Sequence, residues 1–498
     1  MKKQILIVWV LLCALMLTGC GSTSGPAENA LPPLETQPST PGNRNEVYQR
    51  GDSLLIYQET LSNGVMFELF EDGKLVLSGG DIKENQAEEQ AFKDNADQIT
   101  VIELGAGVTA VGAKAFTGLT NVQKLIVGDS VRTIGYSAFS NCTALTQVNF
   151  GQGLEEIGDY AFSGCTALTD VMLNGNITAL GSYCFTGCTS MKYADLGASI
   201  TRMGTFIFSD CTALSSLQIA CNIGDSAFED CITLESVTLK GSVEVIADRA
   251  FSGCKALKNI SLADGLKEIG AYAFAECASL GSISLPASLQ LIENDAFAKC
   301  TKLDTVTFPE NAAIVLETMA FEGCTSLKDV KITNGVVAIG QQCFKECTAL
   351  IEVEIGSNVQ TMGSNLFSGC TALITVSVDS SIGDSCFKNC TALEEVTFGE
   401  HVAVIGAEAF SGCAAIQELA LPEGLETIEK QAFFNCSGLT KITLPKTLKT
   451  IGTESLSGAV SLRHLYYRGT ENNWFAVEKE EKWNYGAGKL YPTKWNAE

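Results

Sequence analysis

Between residues 101 and 465 apolar positions return in one register. In one stretch Leu257, Ile260 and Leu262 are apolar and the residues between them are polar. That alternation predicts a short strand with one buried face. Asp264-Gly265 follows as a turn. Leu266, Ile269 and Gly270 begin a return path, and Ala273-Phe274 closes the coil in a short turn or helix before the pattern restarts. Cysteines mark the period. Cys142, Cys165, Cys188, Cys211, Cys231, Cys254, Cys277, Cys300, Cys324, Cys347, Cys370, Cys390, Cys413 and Cys436 stand 20 to 24 residues apart, each three residues after a Phe. Two degenerate units flank them, Phe116 with Leu119 and Leu456 with Ala459, giving about sixteen units. A period of this length predicts a solenoid. One coil cannot bury its apolar side alone, so stacked coils share a continuous core.

Leu280 to Lys302, LGSISLPASLQLIENDAFAKCTK, resembles the unit of the BspA-like bacterial leucine-rich repeats. In that unit Ala-Phe-x-x-Cys recurs in register with the leucines. The resemblance covers residues 101–465. It implies a repeat solenoid: a curved right-handed coil with a parallel β-sheet on its concave face. It also implies a surface protein acting in adhesion to host proteins or to other bacteria.

A larger copy lies over the small one. Cys184, Cys188, Cys211 and Cys231 are each matched by a Cys 159 residues later, and Met203-Gly204 is matched by Met362-Gly363. Both copies hold one shortened unit, Cys211 to Cys231 and Cys370 to Cys390. Shared departures from the pattern point to duplication of a block of seven units. The short units are expected to change the curvature locally.

The flanks differ. Residues 46–100 predict a β-rich N-terminal cap, with an alternating run from Val65 to Phe70, a turn at Glu71–Lys74, a second run at Leu75–Leu77, and an acidic stretch of helical character from Ile82 to Asp97. Residues 466–498 carry Trp474, Trp483 and Trp495 and predict an aromatic-rich C-terminal cap. Terminal coils need such closure, since they otherwise expose core and sheet edge. Residues 1–20 read as a lipoprotein signal peptide. Lys2 and Lys3 precede an apolar run from Ile5 to Leu17, which is short for a membrane span. Leu17-Thr18-Gly19-Cys20 resembles a lipobox, making Cys20 the lipidated residue. Residues 21–45 hold five of the ten prolines and predict an extended tether. The expected location is therefore extracytoplasmic, on a cell membrane or outer surface through an N-terminal lipid anchor.

The formal net charge is −24, which disfavours nucleic acid as a partner. The register of the cysteines with the core Phe predicts a ladder of buried thiols packed as small hydrophobes, rather than disulfides or a metal site. Three Cys-x-x-x-Cys pairs, 184/188, 343/347 and 386/390, place the first Cys where Ala usually precedes Phe, with no His at hand to complete a zinc set. Cys221, off both columns, is the best candidate for a reactive thiol. A Ser-His-Asp arrangement would need His401 or His464, the only histidines. His464, on the last strand, is expected to face solvent. No cofactor, metal or enzymatic activity is expected.

The remaining candidate is the outward side of the strands. Its earlier part carries Tyr193, Asp195, Ser216, Gln218, Ser236, Thr238, Asn259 and Ser261, and its later part Glu352, Glu354, Thr375, Ser377, Glu395, Thr397 and Glu418. Tyr193, Asp195, Glu352, Glu354, Glu395 and Glu418 are the candidate binding residues, for a host matrix or bacterial surface protein. A glycan is a less favoured ligand, because no aromatic row suited to stacking on sugars appears on this face. A scaffolding role in the envelope, with an endogenous partner, is the alternative reading.

Overall fold

The structure, a computed structural model, describes residues 49–50, 53–173, 176–240, 243–332, 335–487 and 491–496. The expected signal peptide, Cys20 and the tether lie outside the described residues. The chain divides after Val47, and the body described below is Tyr48–Glu498.

Three hydrogen-bond ladders run from coil to coil. The first is the predicted strand. Seventeen long strands, from Val101–Leu104 to His464–Tyr467, follow the period among the described residues. They pair in parallel and in register, as Val171 with Ala194 and Val353 with Val376. Their Leu, Ile and Val side chains point inward and are buried. The second ladder is made of shorter strands on the return path, such as Glu156–Ile157 beside Ala179–Leu180.

The third ladder falls where a turn or helix was expected, and it is made of turns. Two residues per coil hold left-handed backbone there: one two positions before the Phe and one just before the Cys, as Tyr272 (φ 57) and Glu276 (φ 61). Left-handed non-glycine residues cost about 1 kcal/mol or more each. What they gain is alignment. Tyr272, Phe274 and Glu276 donate their N–H groups forward to the carbonyls of Asn294, Ala296 and Ala298 in the next coil, at 2.9, 2.7 and 2.9 Å.

The core is built of two columns. Phe116 to Phe433 form an unbroken stack of fifteen rings, with centroids 5.1–5.5 Å apart. Beside it runs the column of buried, unbridged cysteines. Each of the fourteen thiols in register donates to the carbonyl oxygen of the Phe one coil earlier, at 3.1–3.4 Å. A small, largely apolar side chain with one weak donor suits this place.

The caps imitate coils. At the N-terminus a hairpin of Met66–Phe70 and Lys74–Ser78 lays its second strand parallel to Val101–Leu104. A 3-10 turn at Gln86–Glu88 and a helix at Gln90–Asn95 follow, and Phe92 packs against Phe116. At the C-terminus Glu478–Lys479 extends the short ladder and Lys494–Trp495 the long one. Thr470 caps the helix Glu471–Ala476, which buries Trp474 against Tyr467.

Neither strand ladder is continuous, and the two never lapse together. The long ladder lapses after Asn149, Ser261, Thr307 and Phe398, and there the short ladder is paired. Three of these lapses coincide with a bulky residue. Phe150, Phe308 and Phe398 stand at strand ends where the other coils before Tyr467 carry Leu, Ile or Val, and their rings meet the Phe stack edge-on. The short ladder lapses after Met203 and after Met362, at the two shortened units, while the long ladder stays paired.

Each shortened unit lacks the residues that would form the short strand and keeps only a bridge, Ile223 with Ile246 and Ile382 with Ile405. A side-chain oxygen takes over the orphaned donors. Asn222 Oδ1 accepts from the N–H groups of Glu244 and Val245, and Ser381 Oγ from those of Ala403 and Val404. The N-terminal cap starts its ladder in the same way, through Asp81 and the N–H groups of Thr109 and Ala110.

Candidate binding surface

The strand alternation that buries Val and Leu turns every second residue outward. On the long-strand face this produces two parallel columns of mainly polar side chains, interrupted by Ile126, Met172 and Ala420. The six candidate residues all lie in these columns, but they do not converge. Tyr193 and Asp195 share one strand, and the Tyr193 hydroxyl donates to Asp195 Oδ2 at 3.4 Å. Partial burial and the Asp195 carboxylate raise the Tyr193 pKa. Glu352 and Glu354 hold the equivalent places in the duplicated block, 159 residues on. Glu354 stands opposite Lys331 in register, and Glu352 opposite Asp329 and Thr375. Glu395 is two strands further. Glu418 lies beyond a ladder lapse and pairs with Lys441 at 2.7 Å. The acidic strip is thus a spaced series, partly answered by lysines.

The columns divide into zones. From Ser216 to Thr307 the ten outward positions on five strands are Ser, Thr, Asn or Gln, without a charge. A hollow of about 470 Å³ lies in this zone, lined by Asn259, Ser261, Asp264, Ser282, Ser284 and Pro286, where the long ladder lapses. At the far end the face turns cationic and aromatic. The amino groups of Lys441 and Lys494 each lie 5.7 Å from the Tyr466 ring, and His464 beside it is exposed as expected.

An aromatic row does exist, on the turn side rather than the strand face. Tyr136, Tyr160, Tyr183 and Phe206 follow one another along four coils, with centroids 5.8, 4.8 and 5.0 Å apart. Tyr136 is 47 % exposed and Tyr160 36 %. The last three rings stack face to face, so they show edges outward and their faces are occupied by one another. Sugar stacking needs open faces. The signal was present in the sequence as aromatic residues two or three places before the core Phe.

The other candidates take structural places. Cys221 lines a second hollow, of about 620 Å³, beside Met203, Asn222 and Ile223. It is buried, and burial pushes its thiol up to about 11, which corrects the expectation of a reactive thiol. His401 Nδ1 lies 3.0 Å from Asp379 Oδ2, while Asp379 Oδ1 accepts from the His401 backbone N–H. The pair ties down an exposed turn. Among the described residues no group of three His, Cys, Asp or Glu side chains is placed to hold a metal ion, and no helix is long and apolar enough to cross a membrane.

Residues 85–215, 221–319, 312–381 and 379–474 match the BspA type leucine rich repeat region, in six copies. No curated protein matches the chain. Among solved structures, a leucine-rich repeat protein from Bacteroides ovatus is 24 % identical over 90 % of this chain and 99 % of its own, with a TM-score of 0.53. One from Eubacterium ventriosum is 22 % identical over 77 % and 95 %, with a TM-score of 0.34. A leucine rich cell surface protein from Faecalibacterium prausnitzii is 21 % identical over 86 % and 98 %, with a TM-score of 0.31. The recurring strand, the Phe stack, the thiol column and the span of the match all lead to one conclusion: the chain belongs to the BspA-type leucine-rich repeat family.

Proposed function

We propose that the protein is a non-enzymatic binding protein displayed on the bacterial cell surface. In this reading acylated Cys20 anchors it, residues 21–45 hold the solenoid away from the membrane, and the long-strand face binds a protein partner in adhesion. One acyl chain anchors weakly and two or more anchor stably, so lipid on Cys20 suffices without a membrane-spanning helix. The observation that carries the reading is the long-strand face itself. Its outward columns run the length of the solenoid with mainly polar, solvent-facing side chains, as on Ser282–Ser284 and Glu352–Ile355. An extended surface of this kind suits a macromolecule better than a small substrate. The acidic later half favours a partner with a basic patch, and such attraction weakens with salt.

The test is binding of the chain without residues 1–20 to immobilised matrix proteins and to whole cells across a salt series. A parallel sample carries Glu352→Gln, Glu354→Gln, Glu395→Gln and Glu418→Gln. Saturable binding that falls with salt and with these changes is expected. Binding that ignores them would move the site off the strip, and absence of binding to every surface would overturn the adhesive reading. Separately, Cys20→Ser is expected to abolish labelling by a radioactive fatty acid and to release the protein from the membrane fraction. Unchanged labelling would remove the anchor from the proposal.

A further inference from the structure

A regular junction between coils is closed on three sides. At Met203 and Met362 it is the short-strand side that is open, whereas the four lapses of the long ladder lie on the other face. The long ladder continues there, Tyr193–Leu196 on Ser216–Ile219 and Glu352–Ile355 on Thr375–Val378. The turn ladder also continues, with Phe208 N–H donating to Ala227 O and Phe367 N–H to Cys386 O, at 2.8 and 2.7 Å. The short ladder does not. In neighbouring coils Gly204 and Gly270 donate their N–H groups to the carbonyls of Leu180 and Ile246, both at 2.8 Å. Gly224, at the same place in the shortened coil, donates instead to the Met203 thioether at 3.3 Å, a weak acceptor. The hollow of about 620 Å³ opens at this point.

We propose that the two shortened coils are flexures, at which the solenoid bends about its two intact ladders by opening and closing the short-strand side. The physical basis is local. In a repeat array each coil is held only by its neighbours, so stiffness at a junction is set by the bonds across that junction. Removing one of three ladders lowers the free energy of opening on that side alone. The intact long ladder lies on the opposite strand face and acts as the pivot. Asn222 and Ser381 complete the device. They accept from N–H groups of the coil that follows, so each shortened coil stays fastened on that side and the opening is confined to the junction before it. The duplication places the second flexure 159 residues after the first.

Residue-resolved hydrogen exchange on the intact chain is the first test. The amides of Gly224 and Gly383 are expected to exchange about tenfold faster than those of Gly204, Gly270, Gly363 and Gly406, as for one lost hydrogen bond. Equal protection would overturn the proposal. The second test reads the bend. Spin labels on Thr201→Cys with Glu244→Cys span the first shortened coil, and labels on Glu426→Cys with Glu478→Cys span two coil steps along which both strand ladders are paired. All four positions are exposed. A broader distance distribution is expected for the first pair, and equal widths would overturn the proposal even with fast exchange.

Discussion

The thiol of Cys277 donates to the carbonyl oxygen of Phe251 at 3.2 Å, joining a side chain to the backbone of the coil before it. The same bond recurs at all fourteen in-register cysteines, so the column is a line of weak fasteners inside the core as well as a packing column. Cys277→Ala removes the donor and leaves a small void. It is expected to cost about 1–2 kcal/mol, read from the shift of the urea unfolding midpoint. A neutral result would reduce the column to space filling.

Burial governs the chemistry of these thiols. The Cys142, Cys211, Cys370 and Cys436 thiols are pushed up to about 12 by loss of hydration. The thiolate is the nucleophile, so the folded protein is expected to resist iodoacetamide at pH 8. After unfolding without reductant, the eighteen cysteines from Cys142 to Cys436 are expected to react. Mass spectrometry counts the adducts. Blocked thiols in the unfolded chain would mean that disulfides form in the cell.

Phe274 lies between Phe251 and Phe297, with centroids 5.3 and 5.1 Å away, and is fully buried. Phe274→Ala is expected to cost roughly 3–5 kcal/mol. Because coupling is between neighbouring coils, the loss should appear as faster hydrogen exchange in the adjacent coils and little change at the caps. A near-neutral effect would contradict a stack that carries the core.

The N-terminal cap carries a pH dependence. Asp81 accepts from the Thr109 hydroxyl at 2.7 Å and from the Thr109 and Ala110 N–H groups at 2.8 and 2.9 Å. The Thr109 hydroxyl foremost, with these N–H groups, holds the carboxyl below its ordinary value of 3.8. A carboxylate depressed on folding stabilises the fold above its unfolded pKa, and that contribution fades as the pH falls through the folded value. Protection of the Thr109 and Ala110 amides is therefore expected to weaken in acid below pH 3.8. Asp81→Asn, which keeps an acceptor but does not titrate, should flatten that dependence. The same acid loss in the variant would assign it to other carboxylates.

Much of this architecture was legible in the residues because each coil repeats the same local problem. Leu257, Ile260 and Leu262 announce a strand by alternation, and the Phe and Cys columns announce the core by period, since identical positions in stacked coils must meet. The hairpin at Met66–Ser78 and the helical stretch after Ile82 were also visible as a change of period. The residues facing out were readable by parity, so Tyr193, Asp195 and the glutamates lie on the strand face.

Other features depend on contacts between coils and leave no local mark. Ala-Phe-x-x-Cys reads as a turn or a short helix, and only the forward bonds from Tyr272, Phe274 and Glu276 to the next coil decide for left-handed turns. Phe150, Phe308 and Phe398 look like ordinary inward residues, yet in a core already filled by the Phe stack their bulk goes with a lapse in the ladder. The shortened units were evident as a count of residues. That the missing residues are the short strand, and that Asn222 and Ser381 stand in for its backbone, was decided by which donors the neighbouring coil left unpaired. The sequence by itself determined the period, the core columns and the outward face, because these follow from side-chain polarity within one coil. Tertiary structure decided where the ladders hold and where they open, because a hydrogen bond between coils depends on the geometry of both.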